Sequence, residues 1–305
     1  MKHFVLITIA FLLVFSSCNS SHDDVNEQDE LIDDQRIDWP ADTMLVSFKE
    51  LDSASKKTVE VMMKSLQSWD GFNEFLLEYY SDEIPSFFFE IDFNKDGLLD
   101  VVYYGPSGAE SDKLILYLNQ NGQYEAFYDG YGYVVNFIFV DSILNTMFTH
   151  VPGCCADHSF LQKEFRFALI GGEFNHNCVK TICSYEAPDY KNAFANPKRI
   201  EINATPYYLR HSPNIDNDTV FYGNSSDNNW TEWLIVGNKI GTLKKGDKGI
   251  AIAYEKDDSG REWWFVILDA DVRPKENFLE YAMEKDAKNF HFSGWVSSRY
   301  IIELE

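Results

Sequence analysis

Apolar and polar positions alternate with a different rhythm in successive stretches of the chain. Residues 4–15 form an almost unbroken apolar run behind Lys2 and lead into Ser16 and Ser17. A positive start, a greasy segment too short to span a bilayer as a mature helix, and small residues make the layout of an export signal over residues 1–17. The chain then turns polar and acidic, with Asp23, Asp24, Glu27, Asp29, Glu30, Asp33 and Asp34 set against Arg36 alone. Such a composition does not bury enough apolar surface to fold, so residues 18–40 are expected to be an acidic disordered tether. Next, Val59, Met62, Met63 and Leu66, then Phe72, Phe75 and Leu76, recur at helical spacing. They predict two short helices, over 53–67 and 71–80, packed on a sheet.

From residue 87 the rhythm becomes that of β-structure. Strands are expected at 87–91, 99–104, 113–118, 133–139, 143–149, 160–169 and 177–185, with turn formers such as Asn119-Gln120-Asn121-Gly122 between them. That succession points to antiparallel hairpins and meanders. The expected fold class is mainly β (α+β): an N-terminal β-rich domain with two short helices over 41–197, followed by a second domain over 198–305, for which a resemblance given below implies a small SH3-like β-barrel.

Composition narrows the partners. A content of 45% hydrophobic and 16% aromatic residues supplies core for globular folding beyond the tether. A net charge of −23 with no basic stripe argues against nucleic acid, because phosphate neutralisation needs clustered Lys and Arg. No second apolar run approaches the roughly 20 residues of a membrane helix, which leaves the N-terminus as the expected membrane contact.

The sequence Phe15-Ser16-Ser17-Cys18 resembles a lipobox, with Phe15 where Leu is usual. The resemblance implies cleavage before Cys18 and a diacylglycerol on its sulfur; the plainer alternative is a secretory signal that contains a cysteine. The stretch Cys18-Asn19-Ser20-Ser21-His22-Asp23-Asp24 is similar to the acidic export tag of Bacteroidetes lipoproteins, which implies the outer face of the outer membrane. A solvated linker without an addressing role has the same composition.

Cys154, Cys155, Cys178 and Cys183 remain, and an even count in an exported chain argues for disulfides, with three connectivities open. A bridge from Cys178 to Cys183 leaves Cys154 and Cys155 as a strained vicinal pair, whereas crossing pairs staple two strands. His150, His158 and His176 lie near in sequence, but no CxxC or HxxxH spacing supports zinc.

Between the first two expected strands, Asp92, Asn94, Asp96 and Asp100 with Gly97 spell DxNxDGxxD. Side-chain oxygens at those positions, with the Leu98 backbone carbonyl, are a hard-donor set suited to calcium. It is not an EF-hand, since position twelve is Tyr103 and strands flank the loop. It resembles the calcium loops of FG-GAP and VCBS repeats, in a single copy, which implies a structural ion. An Asx-rich hairpin turn that binds nothing uses the same residues.

In the last third, Thr205-Pro206-Tyr207-Tyr208-Leu209-Arg210-His211-Ser212-Pro213, Ile240-Gly241-Thr242-Leu243-Lys244-Lys245-Gly246-Asp247, Trp263-Trp264-Phe265-Val266 and Gly294-Trp295-Val296-Ser297-Ser298-Arg299-Tyr300-Ile301 follow in the order of a bacterial SH3-like (SH3b) domain. The resemblance spans about 198–303 and implies a small barrel that binds peptide, cell-wall glycan (peptidoglycan) or an envelope protein partner. Residues 214–236 and 269–292 are longer than the family's usual connections, and 278–287 reads as helical. Trp263, Trp264 and Trp295 suit a barrel core. Alternation places one of the adjacent pair Trp263 and Trp264 outside, and that residue, with Tyr208 and Tyr300, is the expected ligand surface. Gly294 is expected to let the chain bend before Trp295.

Catalytic signatures are sparse. There is no GxSxG, HExxH, phosphate-binding glycine loop or dinucleotide fingerprint. The run Gly153-Cys154-Cys155-Ala156-Asp157-His158 has the letters of a cysteine hydrolase without a known nucleophile motif. The expectation is a non-catalytic, lipid-anchored envelope protein; the alternative is a cysteine-dependent hydrolase using Cys154 or Cys155.

Overall fold

The computed structural model describes residues 43–65, 72–107, 112–153, 158–222, 233–277, 279, 282 and 289–304. The fold is mainly β, with few helices. The chain divides into two compact units, Pro40–Glu186 with Ala287–Asn289, and Ala187–Asp286 with Phe290–Glu305. Among the described residues no helix is long and apolar enough to cross a membrane. Cys18, the expected signal and the expected tether lie outside the described residues, as does nearly all of the expected helix at 278–287.

The N-terminal unit carries β1 (Thr43–Ser47), β2 (Asp52–Ser53), α1 (Lys56–Ser65), α2 (Phe72–Tyr80), β3 (Phe88–Ile91), β4 (Asp100–Gly105), β5 (Lys113–Gln120), β6 (Gln123–Tyr131), β7 (Tyr133–Val140), β8 (Ile143–Pro152), β9 (Ser159–Ile170) and β10 (Glu173–Tyr185). Ser55 caps α1, its Oγ accepting from the Thr58 N–H at 3.2 Å. A five-stranded sheet runs β2-β3-β4-β5-β6, and a second antiparallel run goes β1-β7-β8-β9-β10.

Strands β4 and β5 are buried on both faces, which is why they read as apolar runs rather than alternations. One face of β4 and β5, through Val101, Tyr103, Ile115 and Tyr117, packs with Val59, Met62 and Leu76 of the helices. The other face, through Val102, Leu114 and Leu116, shares a core with Phe137, Phe139, Met147, Phe165 and Phe167 of the second sheet. The layers are thus helix, sheet, sheet. Phe93 sits in that second core, fully buried, with ring centroids 5.4 Å from Phe127 and 5.6 Å from Phe137. Burying such a side chain stabilises the fold by roughly 1.5–3 kcal/mol. The Asn121-Gly122 turn has φ of 56° and 90°, the left-handed pair that a two-residue hairpin needs.

The C-terminal unit carries β11 (Asn192–Ile202), β12 (Tyr207–Arg210), β13 (Thr219–Tyr222), β14 (Trp233–Val236), β15 (Lys239–Leu243), β16 (Lys248–Lys256), β17 (Glu262–Leu268), β18 (Phe290–Ser297) and β19 (Ile301–Glu303). Its strands pair antiparallel in the order β19-β11-β16-β17-β18-β12-β15, and β13 pairs with β14 as a separate hairpin inside the long 214–236 connection.

Two expectations are corrected here. The boundary falls at 186/187 rather than 197/198, because residues 192–202 are one strand that pairs with β16 and β19. Gly294 does not make a bend. It lies inside β18, where a Cβ would come 2.6 Å from the Arg210 carbonyl oxygen, so glycine is what lets β18 approach β12.

Candidate functional site

The DxNxDGxxD loop joins β3 to β4, and its oxygens are already engaged. Asp92 accepts from the N–H of Lys95 at 2.7 Å and of Gly97 at 3.0 Å. Asn94 accepts from Asp96 N at 3.2 Å, while Asp96 accepts from Leu98 N at 2.7 Å and from Asn94 Nδ2 at 2.9 Å. Lys95 and Gly97 have φ of 62° and 83°, the left-handed values of a tight Asx turn.

Asp100 differs from the other acids in being fully buried. Its two oxygens accept from Phe93 N at 2.7 Å and Asn119 N at 2.8 Å, which ties the loop to β5. Burial pushes its carboxyl up to about 7 against those two hydrogen bonds, with the charges of Asp92 and Asp96 adding to the rise. Among the described residues, no three Asp, Glu, His or Cys side chains converge to hold a metal. For a cation, Asp92, Asn94, Asp96 and the Leu98 carbonyl offer lone pairs at the surface, and Asp100 orients the loop from below.

The cysteines and histidines do not form one site among the described residues. Cys154 and Cys155 lie outside them. Cys178 and Cys183 stand five residues apart on β10, opposite Phe165 and Leu161. At about 3.3 Å per residue this exceeds the roughly 7 Å limit between bridged Cα atoms, so these two are not each other's partner. His150 bonds Tyr133 Oη at 3.1 Å and packs edge-on to Phe160. His176 packs against Tyr128 and Phe167, and His158 stacks on Tyr185 beside Glu186.

The aromatic set of the C-terminal unit divides differently from its sequence pattern. Trp263 and Trp295 are core, at 0% and 3% exposure, and Phe265 meets Trp295 edge-on at 5.4 Å. Alternation was expected to turn one of Trp263 and Trp264 outward, yet Trp264 too is only 8% exposed. Strand β11 covers it: Phe194 lies edge-on at 5.1 Å and Lys198 Nζ sits 4.9 Å from its ring centroid. Tyr300 is exposed, yet its ring partner is Tyr207 at 4.5 Å rather than Tyr208. Tyr208 instead carries Lys239 Nζ at 4.4 Å from its centroid. The three indoles are therefore withdrawn from any ligand surface, Tyr208 and Tyr300 do not meet, and Tyr207 replaces Tyr208 beside Tyr300.

A cleft of about 430 Å³ opens in this unit between Pro213–Ile215 and the β16–β17 turn, lined there by Lys256, Asp257, Asp258, Ser259 and Arg261. Pockets of that size are the usual seats of small ligands or peptide side chains. Asn238, 1% exposed, braces the first wall by donating to Ser212 Oγ at 2.8 Å and to Asn214 O at 3.0 Å. Asp257 braces the second, accepting from Ser259 Oγ at 2.6 Å, Trp263 Nε1 at 2.9 Å and Arg261 N at 3.0 Å. Those bonds, from Ser259 first and then Trp263, hold its carboxyl down to about 2.

Arg210, which does not line the cleft, is 4% exposed, with Nη1 donating to Asp216 O at 2.9 Å and Nη2 to Asn217 Oδ1 at 3.1 Å. Sequence reasoning missed Arg210, Arg261, Tyr207 and Ser297. For Arg210 the cause is a bulge between Leu209 and Arg210, which re-aims the side chain out of simple alternation. No family model, no curated protein and no solved structure matches this chain.

Proposed function

We propose that this chain is a non-catalytic, lipid-anchored cell-envelope protein whose C-terminal unit is an SH3-like module that binds a peptide, a cell-wall glycan or a protein partner. The observation that carries the reading is the braced cleft between Pro213–Ile215 and the Lys256–Arg261 turn, a concave site with one apolar wall and one charged wall. The strand order and the segments that resemble bacterial SH3-like domains support it. Cys18 with the acidic stretch behind it supports anchoring at the outer membrane, with the tether holding the folded units away from the lipid. Calcium is proposed as a structural ion of the Asp92–Asp100 loop, held by the oxygens of Asp92, Asn94 and Asp96 and the Leu98 carbonyl.

Co-sedimentation of the mature, folded protein with purified peptidoglycan tests the binding reading. Retention on the sacculus that Arg261→Met or a filled cleft (Ser259→Trp) weakens is the expected result. Retention indifferent to both removes the cleft from the reading, and protein left wholly in the supernatant removes the cell wall as ligand.

A further inference from the structure

Resting on that reading of the C-terminal unit, we propose that its cleft takes a peptide group bearing both an ammonium and a carboxylate beside an aliphatic stretch. Arg261 and Lys256 meet the carboxylate, and Asp258 meets the ammonium. All three residues line the cleft, on the wall formed by the turn between β16 and β17. Lys256 and Asp258 are exposed and Arg261 is half-buried, so a molecule seated in the cleft can touch each of them.

That wall interleaves charges of both signs, Lys256 and Arg261 against Asp257 and Asp258. Asp257 is already engaged inside the turn. It accepts from Ser259 N at 2.9 Å, Ser259 Oγ at 2.6 Å, Arg261 N at 3.0 Å and Trp263 Nε1 at 2.9 Å. The side chains of Lys256, Asp258 and Arg261, by contrast, make no hydrogen bond or ion pair among the described residues. The Arg261 guanidinium rests 5.8 Å over the Trp263 ring, a contact that uses its face and none of its N–H groups. The neighbouring carboxylates are committed elsewhere: Glu255 accepts from Lys191 N and Glu262 from Trp264 Nε1, both at 2.8 Å.

An occupant has to balance that wall. Covering exposed charges with an uncharged molecule, such as a neutral glycan, strips their water and returns no partner. A polyanion is drawn by Lys256 and Arg261 and repelled by Asp257 and Asp258, and a polycation meets the reverse. One charge of each sign satisfies both. The planar guanidinium suits a carboxylate, and the Asp258 carboxylate suits an ammonium. Across the cleft, Pro213 and Ile215, the latter 51% exposed, supply an apolar surface for the aliphatic part. Asn238 fixes that side by donating to Asn214 Oδ1 at 2.5 Å.

Calorimetric titration of the mature protein separates two sources of the paired charges. Acetyl-Gly-Lys-Leu-Glu-Gly-amide carries them on nearby side chains, and free leucine carries them on one carbon. Controls lacking one charge are the peptide with acetyl-lysine for Lys or Gln for Glu, and acetyl-leucine or leucinamide. Inorganic phosphate and tri-N-acetylchitotriose stand for an anion and a neutral glycan. One doubly charged probe should bind at least about tenfold more tightly than its own controls, phosphate and chitotriose, the size expected for a charge-assisted bond. Arg261→Met should abolish the response to removing the ligand's carboxylate and keep the response to removing its ammonium. Asp258→Asn should do the reverse.

Controls that bind as tightly as the doubly charged probes, tightest binding of phosphate or chitotriose, or no binding of either doubly charged probe overturns the inference. So does a variant that loses both responses or neither. If peptidoglycan retention persists in that event, the binding-module reading survives. If neither the probes nor peptidoglycan bind, both fall together.

Discussion

The acidic loop of the N-terminal unit and the donor cluster of the C-terminal unit are polar constellations built in opposite ways. In the loop each carboxylate oxygen of Asp92, Asp96 and Asp100 meets an N–H of the same unit, and even the fully buried Asp100 has both oxygens bonded. In the cluster, Arg210, Arg261 and Ser297 keep buried atoms without partners. A closed network gains its stability at folding. An open one forgoes that gain and is held in place by the packing around it. The loop is spelled out by a contiguous motif, whereas the cluster draws on strands far apart in the sequence.

The contrast can be broken by substitution. Asp100→Ala strands two backbone N–H groups, and a loss of about 3 kcal/mol is expected in urea denaturation at constant pH in calcium-free buffer. A loss under about 1 kcal/mol denies Asp100 its place as keystone. His150 tests whether the same unit closes its other buried polar groups. Burial pushes its imidazole down to about 4, with Tyr133 bonded to one ring nitrogen and Gln162 near the other. Above the ordinary histidine value of about 6.5 neither folded nor unfolded chain carries the proton. As pH falls from there toward 4, the unfolded chain takes up a proton that the folded one refuses, so stability is lost, by roughly 2 kcal/mol over the window. Wild type should therefore lose melting temperature faster than His150→Gln between pH 7 and 4.5, and parallel curves would refute the assignment.

The smallest effect concerns calcium. At ten times its dissociation constant an ion bound only by the folded state adds about 1.4 kcal/mol. Calcium should raise the melting temperature of wild type and not of Asp96→Ala. Equal responses remove the ion from the loop and leave it a pure turn.

Much of the N-terminal unit was legible in its sequence, because strands buried on two faces leave apolar runs bounded by turn formers. The predicted and observed β4, β5, β7, β8, β9 and β10 overlap for that reason. Strand β6 escaped prediction: it is an edge strand whose side chains are largely exposed, so neither a run nor a clean alternation marks it. Strand β11 escaped for a related reason, being interrupted by Pro197 and irregular in its pairing with β16. That omission carried over to the site. Alternation alone sends Trp264 to the surface, and only the presence of Phe194 and Lys198 over its ring keeps it in. The cleft was less legible still, since its two walls, at 213–215 and 256–261, come together only through packing of segments far apart in the sequence, which no local spacing of residues encodes.

The covering of Trp264 by β11 also decides where this chain can be divided. A fragment begun at residue 198, where the sequence resemblance starts, discards Phe194 and the pairing of Asn192 and Ala193 with Tyr254 and Ala253. It opens an indole and a strand edge to solvent together, the combination that drives self-association. A fragment begun at 187 keeps both covered. The boundary between soluble and sticky preparations of the C-terminal unit thus lies in eleven residues that look, in sequence, like linker.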